Sequence, residues 1–331
     1  MPASISGLPK VELHLHLDTS LSYEVVRQLI PGLTFDIFQE RYSIQGKCSG
    51  LADFLERTKP ALQLMQTAEN LKLITQDVYR QLAADNVLYA EIRFSPLLHL
   101  EGGLSAEQVC EAVISGVEAG KAKYGIDGGL IFCTLRHFNA DQSMDCARLA
   151  SIYLGEHVLG FDIAADEAGF PIDAHVTAFQ YAHSVDIPCT AHGGEARGAD
   201  SMWEILENFH PRRIGHGVRC IEDARLIQFL KNNQIHLEIC PSSNITLDIF
   251  DHMSDHPLDK LYREEVSVGI NTDGRTIFDL TLGEEYDRIA NTFNWSKKEF
   301  LHCNLQAIHH AFCTDTVKRK VTEKLLAAYQ E

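Results

Sequence analysis

The chain has 331 residues, of which 45% are hydrophobic; this is enough for a large core and normal for an α/β barrel with an insertion. Its formal net charge of −17 disfavours nucleic acid and acidic membranes as partners. No apolar run approaches the ~20 residues of a membrane span, and the start, Met1-Pro2-Ala3-Ser4, shows no signal peptide.

The first predicted strand carries two histidines. Polar and apolar residues alternate from Lys10 to Asp18, which is the period of a β-strand. Because successive side chains of a strand point to opposite sides, Glu12, His14 and His16 share one face. Two imidazoles two residues apart can converge on one metal ion. The alternative is a pair of buried histidines that serve only the core.

A long helical segment, at about 20–86, follows this strand. Its apolar residues recur at helical spacing, as in Leu71, Ile74, Val78 and Leu82. The segment is far longer than a single barrel helix needs. We therefore expect a helical lid over the mouth formed by the strand ends, and additional packing is the alternative.

Strands and helices alternate through the rest of the chain. The predicted strands, with the first included, are 11–17, 87–94, 129–135, 158–164, 187–191, 212–216, 235–240 and 266–271. Residues 105–108 and 296–299 have the form of helix-starting capping boxes. Eight βα units without a Gly-x-Gly-x-x-Gly fingerprint favour a closed barrel over an open dinucleotide-binding sheet. We predict an α/β fold, a single (β/α)8 TIM barrel over 1–331 with a helical insertion after strand 1 and extra C-terminal helices.

Metal-binding side chains stand at the ends of several predicted strands. His14 and His16 end the first strand, His192 follows the fifth, and Asp273 follows the eighth. Active sites of such barrels lie where the strands end. Three imidazoles and one carboxylate suit zinc better than magnesium or calcium, so we expect one Zn²⁺ per chain. Bound zinc lowers the pKa of its water to about 7, which supplies a nucleophile at neutral pH.

Two further residues at the strand ends suit proton chemistry. Glu195 lies three residues beyond His192 and could protonate a leaving nitrogen, or it could be only the acid of a helix N-terminus. His216 ends the sixth strand between two glycines, which we expect to leave its ring uncovered, and it could orient the water or stabilise hydroxide. His252 and His256 have helical zinc spacing, but no Glu is adjacent and Pro257 follows, so we expect no metal there.

At these residues the sequence resembles the adenosine deaminase family, the zinc-dependent adenosine, AMP and adenine deaminases of the amidohydrolase superfamily. The resemblance covers nearly the whole chain in family order. The matching segments are 9–18, 91–96 (Glu-Ile-Arg-Phe-Ser-Pro), 190–195 (Thr-Ala-His-Gly-Gly-Glu), 213–217 (Arg-Ile-Gly-His-Gly), 240–244 (Cys-Pro-Ser-Ser-Asn) and 271–273 (Asn-Thr-Asp).

The resemblance implies a role for each residue. The implied zinc ligands are His14, His16, His192 and Asp273. Glu195 would protonate the purine ring nitrogen, while His216 and Asp273 would position the attacking hydroxide. The implied substrate-binding residues are His16, Asp18, Ala165, Gly274, Leu51, Phe54 and Leu55, of which Asp18 would bond a ribose hydroxyl and the last three would line the lid.

Three departures from the family pattern concern the substrate. Thr19 stands where the family usually has Gly, and Ala165 replaces a Gly whose amide touches the purine. Gly274 replaces a second Asp that contacts the purine, which removes a charge-assisted hydrogen bond typically worth ~1.5–3 kcal/mol. Arg275 could donate to the purine, attract an acidic substituent, or be a solvated charge on the barrel rim.

We therefore expect a hydrolase that converts adenosine and 2′-deoxyadenosine to the inosines and ammonia in purine salvage. The alternatives are a deaminase of a modified adenosine (5′-methylthioadenosine, aminofutalosine or an N6-substituted form) or of adenine, and a non-catalytic nucleoside-binding barrel. The nine cysteines are scattered and show no C-x-x-C pair, which favours reduced thiols and a cytoplasmic location. The sequence leaves the oligomeric state open.

Overall fold

The computed structural model describes residues 5–155 and 157–330. Within them lie eight strands: β1 Lys10–His16, β2 Val87–Phe94, β3 Asp127–Leu135, β4 Val158–Ala164, β5 Thr190–Gly193, β6 Arg213–His216, β7 His236–Ile239 and β8 Val268–Ile270. Met1 to Ser4, on which the expectation of no signal peptide rests, lie outside the described residues. No helix in the described ranges is long and apolar enough to cross a membrane.

The strands form one closed parallel barrel. β1 to β4 pair in order, and so do β5 to β8. Two parallel bridges join these halves, Phe161 with Cys189 and Leu15 with Asp273. The predicted fold class is therefore confirmed. β5 begins later than predicted because Pro188 lacks the N–H that a strand ladder needs.

Helices occupy the outside of the barrel and the insertion. The insertion contains α1 Tyr23–Leu29, α2 Phe35–Tyr42, α3 Leu51–Leu64 and α4 Ala68–Ala84. The later helices are α5 Ala106–Tyr124, α6 Ala140–Tyr153, α7 Val176–Ser184, α8 Ala199–Phe209, α9 Ala224–Asn232, α10 Pro241–Thr246, α11 Leu258–Arg263, α12 Leu282–Phe293, α13 Lys297–His310 and α14 Asp315–Gln330. Both predicted capping boxes are present, at the starts of α5 and α13.

Helix α4 shows most clearly why the insertion is helical. Its apolar residues at helical spacing, Leu71, Ile74, Val78 and Leu82, are all fully buried in the main core. One face of α4 therefore anchors the insertion to the barrel. α3 instead presents part of its surface to a cavity at the carboxyl ends of the strands. Whether α3 moves as a lid stays a prediction.

The seam between β8 and β1 is closed by hydrogen bonds that also place a carboxylate. The Asp273 N–H donates to the His14 carbonyl at 3.0 Å, and the His16 N–H donates to the Asp273 carbonyl at 2.7 Å. The Asn271 side-chain oxygen accepts from the N–H groups of Leu13 (2.8 Å) and His14 (3.1 Å). The seam thus fixes Asp273 beside both histidines of β1.

Arg275 belongs to this seam, and each role suggested for it from the sequence is wrong. Its guanidinium is buried and is ion-paired with Glu12 of β1 at 3.0 Å and with Asp85 at the end of α4. It does not line the cavity and is not a solvated charge on the rim. The reason is local: Glu12 is fully buried, and a buried carboxylate needs a cation or a proton.

Replacing this arginine should destabilise the barrel. Arg275→Met leaves the fully buried Glu12 without its cation, whereas Asp85 keeps Lys10 at 3.4 Å, so the free energy of unfolding should fall by about 3–5 kcal/mol. Guanidinium denaturation followed by circular dichroism measures the change. Arg148→Met, which breaks an exposed pair with Asp145, should change stability by less than about 0.5 kcal/mol. Equal effects of the two substitutions would contradict a structural role for the buried pair.

Candidate active site

Four side chains from three parts of the barrel converge at its carboxyl end. One ligand atom from each of His14, His16, His192 and Asp273 lies within 4.8 Å of the others. His16 Nε2 is 3.2 Å from His192 Nε2 and 3.3 Å from Asp273 Oδ1. His14 Nε2 is 3.4 Å from the same carboxylate oxygen. The residues predicted as metal ligands therefore form one compact group.

The spacing and the chemistry of this group fit a single zinc ion. Ligand atoms about 2.0–2.1 Å from one ion are roughly 3–3.5 Å apart, and the separations found here are 3.2, 3.4 and 3.3 Å. His14 Nε2 is buried and has no hydrogen-bond partner, which is costly for a polar atom unless a ligand satisfies it. The donors are neutral imidazoles and one carboxylate, the set that catalytic zinc prefers.

Neighbouring carboxylates fix which nitrogen of each ring faces this point. Glu238 lies 3.0 Å from His14 Nδ1, and Asp162 lies 3.0 Å from His192 Nδ1. Each carboxylate accepts a hydrogen bond from the Nδ1–H group, so the Nε2 atom of each ring keeps its lone pair for a metal. Ser243 donates its hydroxyl to Asp273 Oδ2 at 2.7 Å and leaves Oδ1 turned towards the histidines.

The ionisation states suit metal binding. Burial lowers the pKa values of His16 and His192, so both rings are neutral at pH 7. Burial by itself would raise the pKa of Asp273, but the close approach of the His14 ring and the nearby His16 and His216 rings hold it well below its usual value. A carboxylate among neutral imidazoles is thus ready to bind a cation.

Glu195 is buried on the loop after β5, and its loop is held by a second glutamate. Glu167 accepts hydrogen bonds from four consecutive backbone N–H groups at 194–197 (2.7–3.0 Å) and from the Ser201 hydroxyl. Burial, with Asp273 and Glu167 nearby, raises the pKa of Glu195 well above its usual value. The raised pKa favours the protonated form of Glu195, so this side chain can serve as an acid.

His216 is more enclosed than we expected, with only 1% of its surface exposed. The flanking glycines do not uncover its ring. A Cβ at Gly215 would come within 2.9 Å of the His14 ring and 3.2 Å of the His192 ring, so this glycine instead leaves room for the ligands. The His216 ring lies 4.8 Å from the His14 ring, between centroids, and it lines the cavity.

The cavity above the four ligands has a volume of about 360 Å³. Of the residues predicted to bind substrate, six line it: His16, Asp18, Ala165, Leu51, Phe54 and Leu55. Gly274 does not. A Cβ at Gly274 would lie 2.5 Å from the Thr19 hydroxyl oxygen and 2.8 Å from Ile277, so Thr19 occupies this part of the wall instead.

Three residues at the site have a left-handed backbone that non-glycine residues rarely adopt. The φ angles are +78° at Ala165, +61° at His216 and +65° at Asp273. Each costs roughly 1 kcal/mol, and such strain collects at functional sites. The conformation at Ala165 also explains why a glycine suits that position.

Comparisons with known proteins agree with this geometry. The chain matches the adenosine deaminase family over residues 9–328. It belongs to that family. It is 34% identical over 328 residues to an adenosine deaminase of Clostridium acetobutylicum, covering 97% of this chain and 98% of that protein. It is therefore a hydrolase that acts on a C–N bond.

Solved structures of related deaminases share the fold. An Arabidopsis N6-mAMP deaminase is 26% identical with a TM-score of 0.87, covering 98% of this chain and 99% of that one. An adenine deaminase of Arthrobacter aurescens is 24% identical with a TM-score of 0.90, covering 98% and 100%. Solved structures with this fold thus include deaminases named for different substrates.

Several residues of this deaminase site were not identified from the sequence. They are the partners of the ligands and of Glu195, namely Asp162, Glu238, Glu167, Ser243 and Asn244. A signal existed for Asp162, because it is a charged residue inside the otherwise apolar strand β4, whereas Glu238 shares the short strand β7 with His236. The others act from loops and short helices, where spacing gives no guide.

Removing the carboxylate behind His192 should weaken metal binding. Asp162→Asn no longer fixes the Nδ1 proton, so the zinc dissociation constant should rise about 10–100-fold. Competition with a chromogenic chelator measures it. Asp77→Asn, a substitution on α4 remote from the ligands, should leave the constant unchanged. An Asp162→Asn variant with wild-type affinity would show that the carboxylate does not orient the ring.

Proposed function

We propose that the protein deaminates adenosine and 2′-deoxyadenosine, giving inosine or 2′-deoxyinosine and ammonia, with one Zn²⁺ per chain. The observation that carries this proposal is that a buried Glu195, whose pKa burial raises, shares one cavity with a group of three imidazoles and a carboxylate spaced for one metal ion. Curated relatives named adenosine deaminase at 30–34% identity support the choice of substrate.

Each residue then has a defined task. His14, His16, His192 and Asp273 would hold the zinc, which when bound supplies Lewis-acid activation of water at neutral pH. Glu195 donates its proton to the purine ring nitrogen next to the carbon under attack, so that carbon becomes more electrophilic.

The remaining contacts hold the substrate. Asp18, which lines the cavity and whose pKa burial raises to about 6, accepts a hydrogen bond from a ribose hydroxyl. Leu51, Phe54 and Leu55 of α3 cover the purine and exclude bulk water from the reacting atoms. Thr19 provides the hydroxyl on the wall where Gly274 has no side chain.

The cytoplasm is the proposed location. All nine cysteines lie in the described part of the chain as free thiols, eight of them buried. A reducing compartment keeps such thiols intact.

The test of the acid is Glu195→Gln. This substitution keeps the shape of the side chain but removes the proton donor, so kcat should fall about 10²–10⁴-fold with little change in KM. The ultraviolet change from adenosine to inosine measures both constants. Glu207→Gln, on the exposed face of α8, should behave as wild type. Wild-type protein that binds adenosine with zinc but never turns it over would support the non-catalytic alternative.

The charge of the cavity predicts selection against nucleotides. Apart from the proton donor Glu195 and the metal ligand Asp273, its charged lining residues are Asp18, Glu56 and one lysine, Lys59, which is exposed and ion-paired with Glu56. A 5′-phosphate would therefore approach two carboxylates and find no unpaired lysine or arginine in the lining. We expect kcat/KM for AMP to be at least ~100-fold below that for adenosine, a loss of about 2.7 kcal/mol in transition-state binding.

A substrate panel decides among the purines. Leu62, Leu98, Leu135 and Phe170 add apolar surface to the cavity, so an uncharged 5′ group such as that of 5′-methylthioadenosine should be accepted better than a phosphate. Adenosine, 5′-methylthioadenosine, AMP and adenine are compared by kcat/KM. AMP as the preferred substrate would contradict the electrostatic argument, and adenine or the thioether ranking first would replace the proposed substrate.

A further inference from the structure

We propose that Asn244 and His256 are positioning residues, joined in a hydrogen-bond chain that fixes the proton of His216 on Nε2 and aims the acidic proton of Glu195. This series of hydrogen bonds runs from the segment before α11 to α10, and from there to the loop after β5 and the end of β6. It deepens the proposed function and rests on it for its kinetic consequence. The hydrogen-bond pattern itself can be tested without turnover.

The pattern is set first at His256. The backbone N–H of Leu258 donates to His256 Nδ1 at 3.1 Å. A backbone N–H can only donate, so Nδ1 carries no proton. His256 is 3% exposed, and burial lowers its pKa to about 3, so the ring is neutral. Its one proton is therefore on Nε2.

The orientation of Asn244 follows from this. His256 Nε2 lies 3.2 Å from the Asn244 side-chain oxygen, so the ring donates and the oxygen accepts. The amide nitrogen then points the other way. It lies 3.2 Å from Glu195 Oε1 and 3.3 Å from His216 Nδ1. Its two protons supply one hydrogen bond to each.

The consequence for His216 is a defined tautomer. Nδ1 lies 3.3 Å from the Asn244 amide nitrogen, which can only donate, and 3.4 Å from Glu195 Oε1, which already accepts from that amide; the geometry therefore assigns the proton of the neutral ring to Nε2. A proton on Nδ1 would face the amide proton at a nitrogen–nitrogen distance of 3.3 Å. His216 therefore acts in the cavity as a hydrogen-bond donor to the attacking oxygen. It cannot take a proton at Nε2 while it is in this form.

The consequence for Glu195 is a defined proton position. Oε1 accepts from Asn244, and in the protonated carboxyl group the carbonyl oxygen is the better acceptor, so the geometry assigns Oε1 as the carbonyl oxygen. The acidic proton is thus on Oε2. The Asn244 amide is fully buried, and its orientation determines the proton positions of both His216 and Glu195.

The first measurement is independent of catalysis. Histidine labelled with ¹⁵N in the zinc-loaded wild type, with His216→Gln used for assignment, reports which nitrogen of His216 is protonated. The proposal requires a protonated Nε2 and an unprotonated Nδ1. The reverse pattern in the wild type would overturn it, whether or not adenosine proves to be the substrate.

The second measurement uses substitutions along the chain. Asn244→Asp keeps the shape but removes both amide protons, so His216 should move its proton to Nδ1 and kcat should fall about 10–100-fold, with KM changed less than about 3-fold. His256→Phe removes the anchor of the amide and should lower kcat in the same way. His256→Gln restores a donor for Asn244, and it should recover most of the loss.

Controls separate this role from a general loss of structure. His252→Phe, at an exposed position four residues before His256, should leave kcat, KM and the His216 tautomer unchanged. Zinc content should be the same in every variant because no ligand is changed. Wild-type kcat in Asn244→Asp, or its ¹⁵N pattern unchanged from wild type, would overturn the proposal. If His256→Phe does not fold, Asn244→Asp and His256→Gln still decide it.

Discussion

The hydrogen bonds across the β8–β1 seam are the constraint on which the rest of the site depends. His14 and His16 are more than 250 positions from Asp273 in the chain, yet the seam bonds their backbones directly at 2.7 and 3.0 Å. The carboxylate cannot move away from the imidazoles without opening the barrel. Closing the parallel barrel therefore also brings the metal ligands together. Arg275 stabilises the closed seam through its ion pairs with two buried carboxylates.

Around this seam the charged residues of the site surround the metal-binding atoms in successive layers. The innermost layer holds the metal-binding atoms, and the next holds the carboxylates that fix their tautomers, Glu238 and Asp162. These carboxylates are compensated in turn by Arg93, which lies 2.7 Å from Glu238 and 2.8 Å from Asp162. All three are fully buried, so each charge is stable only while its partners are present. These ion pairs therefore hold the carboxylates that orient the ligands.

Much of this architecture could be predicted from the sequence, for a physical reason. Strand periodicity puts His14 and His16 on one face, and a barrel brings strand ends together, so distant ligands can be identified without coordinates. The roles of Arg275 and Gly274 could not be predicted in this way. Arg275 depends on which neighbour buries Glu12, and Gly274 depends on the side chain of Thr19, which only packing reveals.

The link through Asn244 shows the same limit at finer scale. Asn244 lies in a segment that matches the family, and no metal is expected at His256. The sequence predicts no role for either residue. Their connection runs between a short helix and a loop, where no period relates the residues. Once the positions of these residues are known, the N–H of Leu258 determines which atom donates in each hydrogen bond of the series.

The central claim is that four side chains at the seam hold one cation in front of Glu195. Anomalous diffraction at the zinc edge from crystals of the zinc-loaded protein tests it directly. The account predicts a single strong peak per chain, within bonding distance of the Nε2 atoms of His14, His16 and His192 and of Asp273 Oδ1. A zinc-loaded crystal with no peak there, or with its peak at other residues, would contradict it.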